Sequence, residues 1–262
     1  MSILTAPPTP IPRDRYGRPL IIPPNGGKPV AYTRATTVAE TTDDRYNLEK
    51  WKMRQVAVGL ADRPDLLLAV TAHRHDKTEL DRLCQQALEV SKSSAGATTG
   101  TAIHALTEVV DRREDLPVIP EPTQADLAAY QQATARFNVV AIEQFLVVDQ
   151  HKIGGTADRI VEWDGRRYIA DLKTGSTVSY SMGAIAQQLA IYSRGAAYDP
   201  SDGTRTPIDV DQDVAIVIHL PAGQGVCHLH KVNIGHGWEA ALLSLRVRAY
   251  RKHARNSLSQ TL

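Results

Sequence analysis

The segment IGGTADRIVEWDGRRYIADLKTG, residues 153–175, decides the fold class of this chain. Both of its halves are rich in β-branched and aromatic residues, and Asp164-Gly165 between them is a strong signal for a tight hairpin turn. We therefore expect two strands, Ile153–Trp163 and Arg167–Lys173, that pair in antiparallel orientation through this turn. The segment thus predicts a sheet in the second half of the chain.

This hairpin also brings ionisable side chains together. Side chains alternate along a strand, so Asp171 and Lys173 share one face and Leu172 points to the other. The position of the turn places Asp158 directly across from Asp171. Opposed acids repel each other and burial raises a carboxyl pKa, so a divalent cation between them is favoured, and hard oxygen ligands select Mg²⁺ or Mn²⁺. The alternative is a strand-end ion pair of Asp171 with Lys173, with Asp158 as an exposed hairpin residue.

The remaining elements follow from the spacing of apolar residues. A first helix is expected at about residues 48–60, and a second one follows a break at 62–65. Further helices are expected at about 80–90, 100–112, 123–138, 182–198 and 237–254. Further strands are expected at about 139–148, 213–220 and 225–232. Eight of the fifteen prolines lie in residues 1–30, which predicts an extended arm that either drapes over the body or is disordered. The order predicts one α/β domain over residues 31–262, with a helical layer (31–96) before its core (97–262).

Composition limits the classes of function. Thirty Lys and Arg against 29 Asp and Glu give a net charge of +1, which excludes a coat-like basic DNA binder and an acidic solvating tail. Two cysteines, Cys84 and Cys227, cannot build a four-thiolate metal site. No stretch approaches the ~20 apolar residues of a membrane span, and prolines break the only apolar stretch at the N-terminus. We expect a cytoplasmic protein without a membrane partner.

Five short motifs occur in a fixed order between about residues 100 and 195. They are Gly100-Thr-Ala-Ile-His104, Glu143, Gly155-Thr-Ala-Asp158, Asp171-Leu-Lys173-Thr-Gly175 and Gln188-Leu-Ala-Ile-Tyr192. This ordered set resembles that of the RecB-like nucleases of the PD-(D/E)XK superfamily. The resemblance implies a PD-(D/E)XK core with a mixed central β-sheet flanked by helices, to which the helical N-terminal layer is added.

The N-terminal part of the chain resembles a particular branch of these nucleases. The proline arm and the stretches near residues 33–51 are similar to phage-encoded relatives of the CRISPR-associated RecB-like nucleases. Those relatives hold an iron–sulfur cluster on four cysteines, whereas this chain has two cysteines. We therefore expect no iron–sulfur cluster.

The resemblance implies roles for the residues of the motifs. Asp158, Asp171 and the backbone carbonyl of Leu172 would bind a catalytic Mg²⁺ or Mn²⁺ ion, and Lys173 would orient or deprotonate the attacking water. Glu143 would add a further carboxylate or hold a metal-bound water, and it ranks below the two aspartates because the sequence does not fix the register of its strand. His104 would complete the metal shell from the preceding helix; the alternative is a solvated helix histidine. Glu108 and Asp111 share the helical face of His104, and either could support its imidazole, but a solvated polar face is favoured for both.

The same resemblance points to contacts with DNA. Gln188 and Tyr192 lie one helical turn apart and would reach the DNA backbone or hold the lysine in place, although Tyr192 could equally be a core aromatic residue. On the last helix Arg248, Arg251 and Arg255 share a face, which either binds phosphates or is simply solvated. His228 and His230 share one face of a strand, where an exposed edge strand is favoured over a transition-metal site.

The implied activity is that of a Mg²⁺- or Mn²⁺-dependent DNA exonuclease. Its substrate would be linear DNA with free ends, in phage DNA recombination, repair or end processing within the bacterial host cytoplasm. A phage recombinase or a single-strand annealing protein is the expected partner. The alternatives are a structure- or sequence-specific endonuclease on the same core and a catalytically silent DNA-binding or assembly protein.

Overall fold

The computed structural model describes residues 10–91, 95–254 and 257. Its contacts group into two compact units, a smaller one over Asp44–Ala105 and a larger one formed by Met1–Asp43 and Leu106–Leu262. The predicted boundaries at residues 30 and 96 stay a prediction. No helix within the described ranges combines the length and the apolar character that crossing a membrane requires.

The N-terminal residues of the larger unit pack onto its sheet. Strands β1 (Leu20–Ile21) and β2 (Val30–Ala31) form a small antiparallel pair, followed by β3 (Thr33–Arg34) and the short helix α1 (Ala35–Ala39). Ile21 is fully buried in a cluster with Tyr32, Phe145, Val147 and Tyr198. The described part of the proline-rich arm, residues 10–30, is therefore held against the sheet of the larger unit by the burial of apolar side chains.

The smaller unit is helical. It contains α2 (Tyr46–Asp62), α3 (Pro64–Ala72), α4 (Lys77–Val90) and the first part of α5 (Ala95–Arg112), which continues into the larger unit. Proline is favoured in the first turn of a helix, where its missing N–H costs nothing, and Pro64 begins α3 at the predicted break. Asp76 caps α4 by accepting hydrogen bonds from the backbone N–H groups of Thr78 and Glu79.

An eight-stranded mixed sheet forms the centre of the larger unit. Its elements in chain order are α6 (Glu121–Thr134), β4 (Asn138–Val148), β5 (Ile153–Trp163), β6 (Arg166–Lys173), α7 (Met182–Ser193), β7 (Ala196–Tyr198), β8 (Arg205–Pro207), β9 (Val214–His219), β10 (His228–Asn233) and α8 (Gly235–Ala254). The strand order is β10-β9-β6-β5-β4-β7-β8, with β3 beside β5; β3–β5 and β6–β9 are parallel and the other pairs antiparallel. The predicted α/β fold with a mixed central sheet flanked by helices is confirmed.

The predicted helix over residues 182–198 is wrong in its last turn. Helix α7 ends at Ser193, and the chain then forms β7, which pairs with β4 and β8. Gly195 lies at this change of direction, where an added Cβ would be 3.1 Å from the Leu146 Cβ and 3.3 Å from the Val147 carbonyl oxygen. Strands of three residues are too short for a recognisable alternation of apolar and polar residues, so the sequence did not reveal β7 or β8.

Helices α7 and α8 cover one face of the sheet. Their apolar side chains pack with Ile169, Val217 and Val232 in the main hydrophobic cluster. The two helices approach each other at Gly237, where a Cβ would lie 2.4 Å from the carbonyl oxygen of Ala186. Only glycine fits there without movement of backbone, so this residue fixes how closely α8 packs on α7.

Candidate active site

The β5–β6 hairpin has the predicted turn and register. Asp164 and Gly165 have φ angles of 50° and 74°, as in the left-handed turns that suit two-residue hairpins. The paired positions run from Trp163 with Arg166 to Arg159 with Ala170, so the next position along brings Asp158 level with Asp171. There the ladder stops, and the Leu172 backbone N–H donates to Asp158 Oδ2 at 3.0 Å.

Asp171 and Lys173 form a close ion pair beside Asp158. The Lys173 Nζ lies 2.5 Å from Asp171 Oδ2, although this oxygen meets no partner with the directional geometry of a hydrogen bond. The Asp171 side chain is 3% exposed and that of Lys173 is 30% exposed, so the lysine connects the buried carboxylate with solvent. Burial and the charge of Asp158 raise the pKa of Asp171 to about 6, against the opposing effect of Lys173.

Lys173 is held in its charged form. Burial acts to lower its pKa, but the carboxylates of Asp171 and Asp158 outweigh burial and leave the pKa above its ordinary value. In this state Lys173 is therefore a cation with protons to donate, rather than a base.

Glu143 lies beside Asp158 on strand β4, in a strained backbone conformation. Ile142 pairs with Arg159 and Gln144 pairs with Ala157, so the residue between them on β4 is level with Asp158. Glu143 has a φ angle of 51°, which a non-glycine residue rarely adopts and which costs of order 1–3 kcal/mol. Burial, then the charges of Asp158 and Glu108, raise the pKa of Glu143 to about 7.

These acids predict an unusual dependence of stability on pH. The folded pKa values of Asp171 and Glu143, about 6 and about 7, lie above their ordinary values of 3.8 and 4.5. At pH values between the ordinary and the raised pKa, the folded state therefore binds more protons than the unfolded state. Without divalent cations, the free energy of unfolding should therefore fall as pH rises from about 4.5 to about 7. Thermal unfolding in EDTA measures this, and Mg²⁺ should recover the stability at the upper end.

Glu143→Gln separates this effect from other titrations. The variant should flatten the upper part of the pH profile, because its amide does not ionise. Glu162→Gln, on the neighbouring strand, should keep the wild-type slope. Equal slopes for wild type and Glu143→Gln would contradict the interpretation.

Tyr192 and Gln188 lie against the acids from α7. The tyrosine is 3% exposed in the main hydrophobic cluster, and Gln188 Nε2 donates to its hydroxyl at 3.1 Å. Burial, then the charge of Asp171, raise the pKa of Tyr192. The ring therefore has the position of a core aromatic residue, and contact of Tyr192 or Gln188 with DNA stays a prediction.

Gly155 is required by the position of Tyr192. A Cβ on Gly155 would lie 2.9 Å from Tyr192 Cε1, 3.0 Å from its hydroxyl oxygen and 3.1 Å from the Ala35 Cβ. Gly155→Ala should therefore destabilise the protein by about 1–3 kcal/mol, as overpacking does, in urea unfolding. Gly183→Ala is the control, since nothing lies within 4 Å of its Cβ position in α7 and alanine favours helix. Equal stability of the two variants would contradict the proposed close approach.

A buried network beside the acids was missed in the sequence. Arg159 is 1% exposed; its Nε donates to Asp111 Oδ2 at 2.5 Å and its Nη2 to the Thr107 hydroxyl at 2.7 Å. Tyr130 donates to Asp111 at 2.8 Å. The expectation that Asp111 is solvated is wrong, because it bonds the larger unit's part of α5 to β5 and α6. Glu108 instead pairs with Arg112 at 2.8 Å.

The other predicted site residues stay predictions. His104 is half-buried on the part of α5 that belongs to the smaller unit, and its role as a metal ligand stays a prediction. Arg248 is half-buried and Arg251 is exposed on α8. Arg255 lies outside the described residues.

The donor groups fit a hard divalent cation held partly by its substrate. Among the described residues, no group of three or more His, Cys, Asp or Glu side chains is arranged to hold a metal ion. Mg²⁺ usually takes one or two carboxylates and keeps waters or substrate phosphates as further ligands. Asp158, Asp171 and the Leu172 carbonyl suit that demand, and the repulsion between the acids favours a cation.

Comparison with known proteins agrees with this arrangement. The model of the PD-(D/E)XK nuclease superfamily matches residues 65–220, more than half of the chain, and the match includes all five motifs. The comparison with curated proteins finds no match.

Proposed function

This chain belongs to the PD-(D/E)XK nuclease superfamily, and we propose that it is a Mg²⁺- or Mn²⁺-dependent DNA exonuclease. The observation that carries the proposal is the convergence of Asp158, Asp171 and Lys173 where β6 ends. Two carboxylates beside one lysine suit phosphodiester hydrolysis, which needs charge neutralisation and a positioned water.

The two aspartates and the Leu172 carbonyl would hold the cation. When bound, the cation supplies positive charge that offsets the negative charge of the phosphodiester. Asp158 is oriented by the hydrogen bond that the Leu172 N–H donates to its Oδ2. His104 is a further candidate ligand by the resemblance.

Lys173 and Glu143 would have separate tasks. The charged Lys173 donates hydrogen bonds to the attacking water or to a phosphate oxygen and stabilises developing negative charge. Glu143 is the candidate to accept the proton of that water, because a pKa of about 7 matches a base to neutral pH. Gln188 and Tyr192 support the acids from α7.

The preference for DNA ends rests on the resemblance of the motif set to the RecB-like nucleases. The same resemblance supports a place in phage DNA recombination, repair or end processing in the host cytoplasm, with a recombinase or single-strand annealing protein as partner. Arg248, Arg251 and Arg255 are candidates for contacts with the DNA backbone.

Cleavage assays test the activity and its mode together. Purified protein is incubated with linear and with covalently closed circular DNA in Mg²⁺, in Mn²⁺ and in EDTA. The proposal expects loss of linear DNA in either metal, intact circles, and no reaction in EDTA. Cut circles would replace the exonuclease with an endonuclease, and binding without cleavage in any metal would favour a silent DNA-binding protein.

A further inference from the structure

The chain leaves strand β6 through three residues whose carbonyl oxygens are all bound by one other segment. The Lys173 carbonyl accepts from the Leu220 N–H at 2.9 Å, and the Thr174 carbonyl from the Ala222 N–H at 3.0 Å. The Gly175 carbonyl lies 2.8 Å from His219 Nε2. Since a carbonyl only accepts, His219 Nε2 is the donor of this hydrogen bond.

The β9–β10 loop, which supplies two of these three hydrogen bonds, is itself held by Asp126 of helix α6. Both carboxylate oxygens of Asp126 on α6 accept backbone hydrogen bonds from the β9–β10 loop, from Gly223 at 2.6 Å and from Gly225 at 2.8 Å. Asp126 is 1% exposed, so a carboxylate is buried there for two backbone N–H groups. The two glycines have φ angles of 77° and 61°, which defines a loop conformation suited to glycine.

We propose that His219 and Asp126 are positioning residues that hold the Lys173–Gly175 segment, and with it the catalytic lysine, through the β9–β10 loop. The register supports this, because Lys173 pairs with His219 in the parallel β6–β9 ladder. The inference rests on the proposed nuclease function and names residues that act on Lys173 without touching substrate.

The lysine needs such support because its own side chain is flexible. Four methylene groups separate its ammonium from the backbone, and catalytic geometry tolerates an error of only about 0.5 Å. The β6 strand ends at Lys173, so its ladder holds the lysine from one side only, and residues 175–177 beyond it are exposed. The His219 hydrogen bond closes the first turn beyond the strand, and Asp126 holds the loop that directly follows His219.

The test compares three histidine variants. His219→Leu removes the donor, His219→Gln keeps an N–H donor, and His228→Leu removes an imidazole whose ring lies 6.5 Å from that of His219 on the paired strand. We expect His219→Leu to lower kcat about tenfold or more, with DNA affinity in Ca²⁺ unchanged, since a misplacement of about 1 Å can cost a hundredfold in rate. His219→Gln should restore most of the rate, and His228→Leu should keep it. Asp126→Asn should lower kcat in the same way as His219→Leu.

A second measurement does not depend on catalysis. Backbone hydrogen exchange in peptides covering residues 173–178 should increase in His219→Leu and Asp126→Asn and stay at the wild-type level in His228→Leu. If exchange responds but the wild type cleaves no DNA, the nuclease function fails and the positioning role stands. The positioning role is overturned if kcat and exchange are unchanged in a cleaving His219→Leu protein, or if His228→Leu loses as much rate as His219→Leu.

Discussion

Lys173→Ala should reduce the rate of DNA cleavage by about 10²–10⁴-fold, the range that a positioned proton donor or acceptor contributes. The variant loses the cation that pairs with Asp171 and reaches toward solvent from the buried acids. Because the carboxylates and the Leu172 carbonyl remain, DNA binding in Ca²⁺ should change little. Single-turnover cleavage of linear DNA in Mn²⁺ measures the rate, and DNA titration in Ca²⁺ measures the affinity.

Lys231→Ala is the matched control. Lys231 is an exposed lysine of strand β10, and its Nζ lies over the Trp163 ring at 4.5 Å from the centroid. The Lys231→Ala variant should cleave DNA at the wild-type rate. This result would show that the loss of one positive charge from the sheet is not enough to lower the rate. Equal rates for wild type and Lys173→Ala would remove the lysine from the mechanism.

Arg159→Met should destabilise the protein by about 3–5 kcal/mol, because it leaves Asp111 as a buried carboxylate without its cation. Burial already raises the pKa of Asp111 against the opposing charge of Arg159, so the carboxyl group of the variant should take up a proton more readily. The free energy of unfolding from urea titration measures the loss.

The double variant Arg159→Met/Asp111→Leu identifies the cause. Removing both charges should recover much of the lost stability, since an apolar pair of similar volume avoids the desolvation of two ions. Arg167→Met is the control, because Arg167 and Glu162 are 40% exposed with 3.7 Å between them, and such surface pairs contribute little. Additive losses in the double variant would show that packing, rather than an unpaired charge, causes the instability.

The central hairpin was predictable because its signals are local. The Asp164-Gly165 turn sets the register, and the register together with strand alternation places Asp158, Asp171 and Lys173. The break between the first two helices of the smaller unit was predictable for the same reason, since Pro64 begins α3. Local patterns of this kind need no knowledge of distant partners.

The rest of the site depends on contacts between distant residues. Arg159 and Asp111 are 48 positions apart, and His219 meets Gly175 across 44 positions, so no local pattern identifies either pair. The left-handed backbone of Glu143 is also invisible in a β-branched stretch, because the strain is imposed by the surrounding sheet. Tyr192 was ambiguous in the sequence, since only the fold decides whether a helical tyrosine faces the core.

The hydrogen bond from Leu172 to Asp158 affects the choice of an inactive protein for crystallisation with intact DNA. In Asp158→Ala the N–H of a fully buried residue loses its acceptor, which costs about 1–3 kcal/mol, so catalytic loss would be mixed with a folding defect. Asp158→Asn keeps an oxygen for that N–H and removes only the charge. Substitution at Lys173 leaves this bond intact and is the better means of trapping uncut substrate.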